Sequence, residues 1–266
     1  NKKFWKHVKP FFTEKISTNT NITLIEANEI ISNPKEISEI MNNFFSDVAI
    51  DLDVDRELHT LVSNAHDPVT KAIDKYKHHP SVIKLNEENF PEASFDFYEI
   101  SESTILEVIG DLDSSKSYQK DNISPKILKD NKDICAIILK SDVSRCINNG
   151  NFPSNLKNAD ITPIFKKEDR LLKTNYRPVS ILPTFSKVYE KIFYLQIYEY
   201  FNNIFSKYLC GFRKGRSTQH CLLFMLENLK KSLDSGLKTG ILLTDLSKAF
   251  DSISHDLLLA KLNAYG

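Results

Sequence analysis

The chain has 266 residues, of which 41% are apolar, 26% charged and 11% aromatic. This composition excludes collagen, coiled coil and extended disorder, and it fits one large globular domain or two smaller ones. No run approaches the roughly 18 consecutive apolar residues that a membrane span requires, and the N-terminus lacks the apolar core of a signal peptide. We therefore expect an intracellular protein that has no membrane partner.

The formal net charge of zero hides an asymmetry along the chain. Residues 1–110 contain 11 basic and 19 acidic side chains, whereas residues 111–266 contain 24 and 16. The basic excess is densest in residues 157–216, which contain 12 basic and 5 acidic side chains. A phosphate-rich partner is one interpretation, and a surface that is basic only for solubility is the other.

The N-terminal third shows one clear helical pattern. The apolar residues between Ile37 and Val48 recur at steps of three and four behind Asn33-Pro34, which predicts a helix. From Asp51 to Pro91 the spacing is irregular and Pro68 and Pro80 interrupt it, so we expect a loose connector there and a domain boundary near residue 95.

A short helix and a hairpin are predicted next. Ser101 or Ser103 can cap a helix that Gly110 ends. The segments ADITPIF (159–165) and YRPVSIL (176–182) are short, β-branched and separated by a polar turn, which predicts two hairpin strands. Pro163 and Pro178 confine these strands to an edge or to strand ends, because proline cannot donate to the ladder.

The last third alternates helix and strand patterns. A helix is predicted from Thr184 to about Asn203, and a second from Ser217 to Gly236. The compact apolar run TGILLTDLS (239–247) predicts a strand, and helical spacing returns behind a Ser254 cap. The helix predicted from Ser217 to Gly236 presents five apolar residues on one face: Leu222, Met225, Leu226, Leu229 and Leu233. We predict a mixed α and β fold.

Asp245 is the residue that suggests chemistry. It follows the apolar run Ile241-Leu242-Leu243, so a strand would hold its carboxylate at the rim of a sheet, where metals and phosphates can reach it. The alternative is a turn or cap residue. His255 is interpreted as an N-terminal helix residue.

Four blocks occur in an order that is similar to the reverse transcriptases of non-LTR, LINE-like, jockey-type retrotransposons. They are ITPIFKKEDR (161–170), NYRPVSILP (175–183), YLCGFRKGRST (208–218) and LLTDLSKAFDSISH (242–255). SKSYQKDNISPKILK (115–129) also resembles that family, and NKKFWKHVKP (1–10) does so more weakly. The resemblance as a whole covers roughly two-thirds of the chain strongly.

The resemblance implies an α+β, right-hand polymerase fold. Residues 1–95 would form an acidic, largely helical connector, residues 96–238 the fingers, and residues 239–266 the first strand and helix of an incomplete palm. The implied activity is RNA-directed DNA synthesis from a primer 3′-hydroxyl. The implied partners are an RNA template, a DNA primer and dNTP, with nucleus and cytoplasm both suitable for the parent element.

The resemblance also assigns residue roles in the palm. Asp245 becomes a metal ligand and the catalytic carboxylate, with the Leu246 carbonyl as its backbone partner for one of two Mg²⁺ ions. Phe250 takes the place of the sugar gate that excludes a 2′-hydroxyl, and a core aromatic residue is the alternative. Asp251 is interpreted as structural.

Basic residues receive the remaining roles. Lys166, Lys167 and Arg177 resemble the fingers cations that neutralise nucleotide phosphates, although the lysines lie in a KKEDR turn that would otherwise be an ordinary solvated loop. The GFRKGR block would contact the nucleic acid, with a flexible solvated loop as the alternative. Its implied contact residues are Gly211, Phe212, Arg213, Lys214 and Arg216.

Three departures from the family pattern qualify these roles. Leu209 stands where the family usually has glutamine, and Gln119-Lys120 replaces a Gly-Pro-like turn. The later palm blocks, which include the Tyr-x-Asp-Asp turn, do not occur before Gly266. We therefore expect a piece of a longer reading frame that does not polymerise by itself.

Two other function classes stay open at this stage. One is a non-catalytic nucleic-acid-binding remnant that keeps a basic groove without chemistry. The other is a helical protein-interaction module in residues 1–95, in which the predicted helix around Ile37–Val48 docks a partner.

Overall fold

The computed structural model describes residues 22–47, 68–88, 94–119, 123–246, 249–250 and 253–266. The chain divides into two compact units, one formed by Asn1–Asp51 with Asp160–Ile181 and the other by Leu52–Ala159 with Leu182–Gly266. The regular elements among the described residues are helices and two antiparallel two-stranded sheets, so the mixed α and β composition is confirmed. The boundaries at residues 95 and 238 stay predictions.

A short hairpin and one helix open the first unit. Strands β1 (Leu24–Glu26) and β2 (Glu29–Ile31) are antiparallel, and Ala27 and Asn28 between them adopt positive φ values of 49° and 68°. Two successive residues with positive φ are characteristic of the type I′ turn that suits a two-residue hairpin. Sequence analysis missed this hairpin, because its strands have only three residues each.

Helix α1 (Pro34–Asp47) confirms the predicted helix as far as Asp47, and Val48 lies outside the described residues. The Asn33 side chain caps it by accepting from the Lys35 amide at 3.0 Å. Ile37 and Met41 are buried in one core with Leu24 and Tyr176. The apolar face that we considered for docking a partner is therefore packed within the first unit.

The predicted hairpin of the first unit is confirmed. Strands β3 (Asp160–Phe165) and β4 (Tyr176–Ile181) pair antiparallel, with Pro163 directly opposite Pro178. The Lys166 amide donates to the Asn175 carbonyl at 2.8 Å, so Lys166 and Asn175 form a hydrogen-bonded pair at the end of the ladder. Because hydrogen-bonded and non-hydrogen-bonded pairs alternate, the two prolines occupy a non-hydrogen-bonded pair, where neither must donate.

The second unit begins, in its described part, with two helices where we expected a loose connector. Helices α2 (Pro68–Tyr76) and α3 (Pro80–Glu87) both start at a proline. Proline suits the first turn of a helix, since the amide that it lacks would have no intrahelical partner there. The two prolines therefore begin helices and do not interrupt one, so the prediction was wrong for residues 68–87.

Three further helices build the main core. Helix α4 (Glu102–Asp111) is capped by Ser101, whose hydroxyl accepts from the Thr104 amide at 3.1 Å, and Gly110 lies inside its last turn. Helices α5 (Pro125–Asp130) and α6 (Lys132–Asn149) were not predicted. The buried residues of α6 recur at helical steps that the sequence already contained: Ala136, Leu139, Val143 and Cys146.

Three predicted helices complete the second unit: α7 (Thr184–Asn202), α8 (Thr218–Asp234) and α9 (His255–Tyr265). Val188, Tyr189 and Ile192 of α7 join the core formed by α4 and α6, whereas α9 packs against α2 and α3. No residue of α8 is buried, so the apolar face predicted for that helix is largely exposed.

The predicted strand over 239–247 does not form in its described part. Residues 239–246 have no strand partner, and the side chains of Leu242 and Leu243 are 87% and 85% exposed. A strand needs a neighbour to take its backbone hydrogen bonds, and periodicity along one segment does not specify that neighbour. None of the helices in the described part of the chain is long and apolar enough to cross a membrane.

Candidate active site

The β3–β4 hairpin sorts its side chains onto two faces. Phe165 and Tyr176 are directly opposite each other, with ring centroids 5.7 Å apart, and both pack with the core of the first unit. Arg177 is opposite Ile164, and the ladder continues to Lys166. Because residues two apart point the same way, Lys166, Ile164 and Arg177 share the other face.

The two cations on that face have no partner among the residues that the structure describes. Lys166 and Arg177 are both exposed, and neither side chain forms a hydrogen bond or ion pair with another described residue. The face between them is partly apolar, since Ile164 and Val179 are also exposed. The register thus brings together two predicted phosphate-binding residues on a surface that solvent can reach.

The turn of the hairpin is held by contacts within the first unit. Lys173 forms an ion pair with Glu26 of β1 at 2.6 Å, and the Tyr176 hydroxyl donates to the Arg170 carbonyl at 2.7 Å. Burial raises the pKa of Tyr176, which keeps this hydroxyl protonated as a donor. Lys167 lies next to Glu168 and pairs with it at 3.0 Å, so its charge is partly offset, unlike that of Lys166.

The GFRKGR loop of the second unit contains one arginine that holds the loop in place. The Arg213 guanidinium donates to the Asn202 carbonyl at 3.0 Å and to the Ser206 carbonyl at 3.1 Å, and it lies 5.7 Å from the Phe205 ring centroid. These contacts satisfy carbonyl groups at and beyond the C-terminus of α7. Gly215, with φ of 75°, permits the turn that follows.

The other members of this block are presented differently. Gly211 and Lys214 are exposed, and the Phe212 ring is 91% exposed although its φ is 58°. The Arg216 guanidinium lies 5.9 Å from the Phe224 ring centroid. A positive φ is uncommon for a bulky residue, so the fold holds Phe212 outward at a conformational cost.

Phe212 also contacts the predicted sugar gate. Its ring meets the Phe250 ring edge to face, with centroids 6.0 Å apart and an interplanar angle of 84°. Phe250 is 74% exposed and is therefore not a core aromatic residue of the structure described. The loop block and the gate, which are predicted to contact nucleic acid and sugar, thus touch each other within the second unit.

Asp245 and Leu246 are both exposed at the end of the unpaired apolar segment. The described residues contain no group of three His, Cys, Asp or Glu side chains that could hold a metal ion. The Asp245 carboxylate and the Leu246 carbonyl offer fewer oxygens than the six that Mg²⁺ usually takes. They fit part of a metal site only. Asp251 lies outside the described residues, and His255 is the first residue of α9, as predicted.

Comparison with known proteins identifies the C-terminal part of the chain. Residues 164–266 match the family described as reverse transcriptase (RNA-dependent DNA polymerase). This range begins inside β3 and contains every predicted site residue, from Lys166 to Phe250. Reverse transcriptase domains generally depend on divalent metals and use an RNA template, a primer and dNTP.

Three relatives from Drosophila melanogaster match parts of the chain. A probable RNA-directed DNA polymerase from transposon X-element is 32% identical over 83 residues, which are 30% of this chain and 9% of that protein. A probable RNA-directed DNA polymerase from transposon BS is 26% identical over 160 residues, or 59% of this chain and 18% of that protein. A putative 115 kDa protein in type-1 retrotransposable element R1DM is 28% identical over 172 residues, or 60% and 16%.

These matches agree with the four blocks found in the sequence. The chain spans less than a fifth of the length of each of these relatives. The resemblance to LINE-like retrotransposon enzymes is confirmed, and residues 164–266 match the reverse transcriptase, or RNA-dependent DNA polymerase, family.

Proposed function

We propose that the chain contains the fingers and the first palm segment of a retrotransposon RNA-directed DNA polymerase, which extends a primer 3′-hydroxyl on an RNA template. The observation that carries this proposal is the exposed hairpin face, where Lys166 and Arg177 lie on the same side without partners among the described residues. On the opposite face Phe165 and Tyr176 pack with the core of the first unit, which supports the end of the hairpin that carries Lys166 and Arg177.

Arg177 is the principal phosphate ligand in this proposal. Its guanidinium can bind two phosphate oxygens at once and stays charged at any working pH, whereas Lys166 supplies a single ammonium group beside it. Cations fixed in advance stabilise the charge that develops as pyrophosphate leaves, because they need not reorganise during the step. Lys167 contributes less, since Glu168 already partly offsets its charge.

Asp245 is proposed as one carboxylate ligand of a divalent-metal centre, with the Leu246 carbonyl beside it. When bound, a pair of Mg²⁺ ions lowers the pKa of the primer hydroxyl and stabilises the leaving phosphates. The remaining protein ligands are proposed to come from later palm sequence, as they do in the family that the chain resembles. Phe250 is proposed to lie against the ribose 2′ position, supported at its edge by Phe212.

The test is nucleotide incorporation on a primed RNA template. The 266-residue chain alone should incorporate no labelled dNTP, whereas a chain that continues through a complete palm should be active. In that longer chain, Asp245→Asn should lower the rate by about a thousandfold or more, as loss of a principal electrostatic group does. Asp234→Asn, at an exposed position at the end of α8, is the matched control and should leave the rate unchanged.

Two outcomes would contradict this function. Equal rates for Asp245→Asn and Asp234→Asn would remove Asp245 from the catalytic centre. RNA binding that persists in a longer chain that never incorporates nucleotide would favour the non-catalytic remnant. Both functions predict binding that weakens steeply with salt, so binding alone does not separate them.

A further inference from the structure

The outward face of α7 presents two lysine side chains followed by two tyrosine side chains. Lys187, Lys191, Tyr194 and Tyr198 recur at steps of four, three and four, which places them on one side of the helix over about 17 Å. The opposite side is buried through Val188, Ile192 and Gln196 among others. Sequence analysis used the buried side to predict the helix and left this outward side without a role.

The GFRKGR loop adds a fifth residue to this face. The Lys214 amide donates to the Tyr198 hydroxyl at 2.8 Å, which brings Lys214 to the end of the row. We call these five residues the α7 stripe: Lys187, Lys191, Tyr194, Tyr198 and Lys214. All of them lie in the second unit.

The aromatic rings of the stripe are already arranged in series. The Lys191 ammonium lies 4.8 Å from the Tyr194 ring centroid, and the Tyr194 and Tyr198 centroids are 5.3 Å apart with an interplanar angle of 31°. Tyr194 is 45% exposed. The Tyr194 ring therefore offers π surface to solvent, whereas Tyr198 is half-buried and its ring also meets the Phe205 ring edge to face, with centroids 6.4 Å apart.

The charges on the stripe have one sign. None of its three lysines forms an ion pair with a described carboxylate. Lys187 donates to the Ser117 carbonyl at 2.6 Å, and the nearby Glu190 carboxylate partly offsets its charge, whereas Lys191 and Lys214 have no such contact in the described part of the chain. Aromatic rings flanked on both sides by ammonium groups match a single-stranded nucleic acid, whose phosphates need cations and whose unpaired bases stack on aromatic rings. In a duplex the bases stack on one another, so they are not available to stack on the tyrosines.

We propose that the α7 stripe is a stacking platform for single-stranded nucleic acid. Bases stack on Tyr194 and Tyr198, phosphates pair with Lys191 and Lys214, and a base on Tyr194 takes the place of the Lys191 ammonium, which turns to the adjoining phosphate. The inference rests on the proposed function, and it extends nucleic-acid contact from the GFRKGR loop along the whole outward face of α7.

The experiment is fluorescence anisotropy of the full chain with labelled 15-nucleotide oligo(rU), oligo(dT) and a duplex of equal length. Tyr194→Ala should raise the Kd for the single strands about 5- to 100-fold, the effect of losing one stacked base, whereas Tyr194→Phe should stay within about twofold of the original. Tyr98→Ala is the matched control, because Tyr98 is exposed in the same unit but donates to Glu199 at 3.3 Å. Lys191→Gln should reduce the slope of log affinity against log salt by about 0.7.

The outcomes separate this inference from the function on which it rests. A chain that binds neither oligonucleotide overturns both. Binding that Tyr194→Ala weakens no more than Tyr98→Ala does, or a duplex that binds as tightly as the single strands, overturns the stripe and leaves the proposed function standing. Weakening with either oligonucleotide supports the stripe, and a larger effect on oligo(rU) or on oligo(dT) identifies whether template RNA or DNA lies there.

Discussion

The β3–β4 hairpin and the segment around Asp245 were both predicted as strands that present site residues, yet only the hairpin is a sheet. Each strand of the hairpin is paired along its length, Phe165 and Tyr176 pack in the core of the first unit, and the Lys173–Glu26 pair anchors the turn to β1. Residues 241–246 are exposed and have no ladder in the described part of the chain. Local pairing is therefore enough to position Arg177, whereas nothing described positions Asp245 equally well.

This contrast gives the two regions different sensitivities. Side chains that position Arg177 contribute to stability, because they lie in a core. Leucines next to Asp245 contribute little, because water already surrounds them. The predictions below compare a buried position with an exposed one, or a partnered charge with an unpartnered one.

The largest expected difference is between two leucine substitutions. Leu24→Ala removes a fully buried side chain from the core of the first unit and should lower the free energy of unfolding by about 2–5 kcal/mol. Leu242→Ala removes an exposed one and should change it by no more than about 0.5 kcal/mol. Urea denaturation followed by circular dichroism measures both. Equal losses would show that residues 241–246 are packed in solution.

The next largest effect concerns nucleotide affinity. Arg177→Ala should weaken binding of Mg²⁺-bound dNTP about 10- to 100-fold, since a hydrogen bond to a charged group contributes about 1.5–3 kcal/mol. Arg145→Ala is the control, because Arg145 is exposed on α6 and is already paired with Asp142 at 3.3 Å. Isothermal titration of the full chain distinguishes them, and similar losses in both variants would refute the role of Arg177.

An effect of similar size is expected at the sugar gate. In a chain with a complete palm, Phe250→Val should lower the preference for dNTP over rNTP about 10- to 200-fold, because removing the ring relieves the clash with the 2′-hydroxyl. Competition between labelled dNTP and rNTP measures this preference. Phe224→Val, under Arg216, removes another aromatic ring of the same unit and should leave the preference unchanged. An unaltered ratio in Phe250→Val would remove the gate assignment.

The smallest effect is a loss of stability in alkali. Burial raises the pKa of Tyr189 to about 12, with smaller contributions from Asp142 and Cys146. Because the unfolded chain loses this proton near pH 10, stability is intact below pH 10 and falls between pH 10 and 12, by about 1 kcal/mol at pH 11. Tyr189→Phe should make the decline from pH 9 to pH 11 shallower in urea titrations, and an identical decline would contradict the assignment.

Much of the fold was predictable where the residues of a single segment are enough to specify a helix or a hairpin. The helices α1, α4, α7, α8 and α9 follow from apolar spacing and capping residues, and the hairpin follows from two β-branched runs around a polar turn. Helices α2 and α3 were missed because proline was interpreted as an interruption. The β1–β2 hairpin was missed because three-residue strands leave almost no periodic signal.

The candidate site divides in a similar way. The blocks in the sequence were enough to identify the family and to nominate Lys166, Arg177 and Asp245. They did not reveal that Arg213 caps α7, that Glu168 offsets Lys167, or that Phe212 meets Phe250. These contacts depend on how separate segments pack against each other, so the spacing of residues along the chain does not predict them.

The sequence by itself determined helices α1, α4, α7, α8 and α9 and the β3–β4 hairpin. It also determined the family resemblance and the kinds of side chain available for phosphate and metal, because these depend on residue types at short range. Only the tertiary structure decided which face of each element is buried. It turned Lys166 and Arg177 outward together, buried the α1 face against Leu24 and Tyr176, and left Tyr194 in solvent beside Lys191. The physical reason is that burial results from contacts between distant segments.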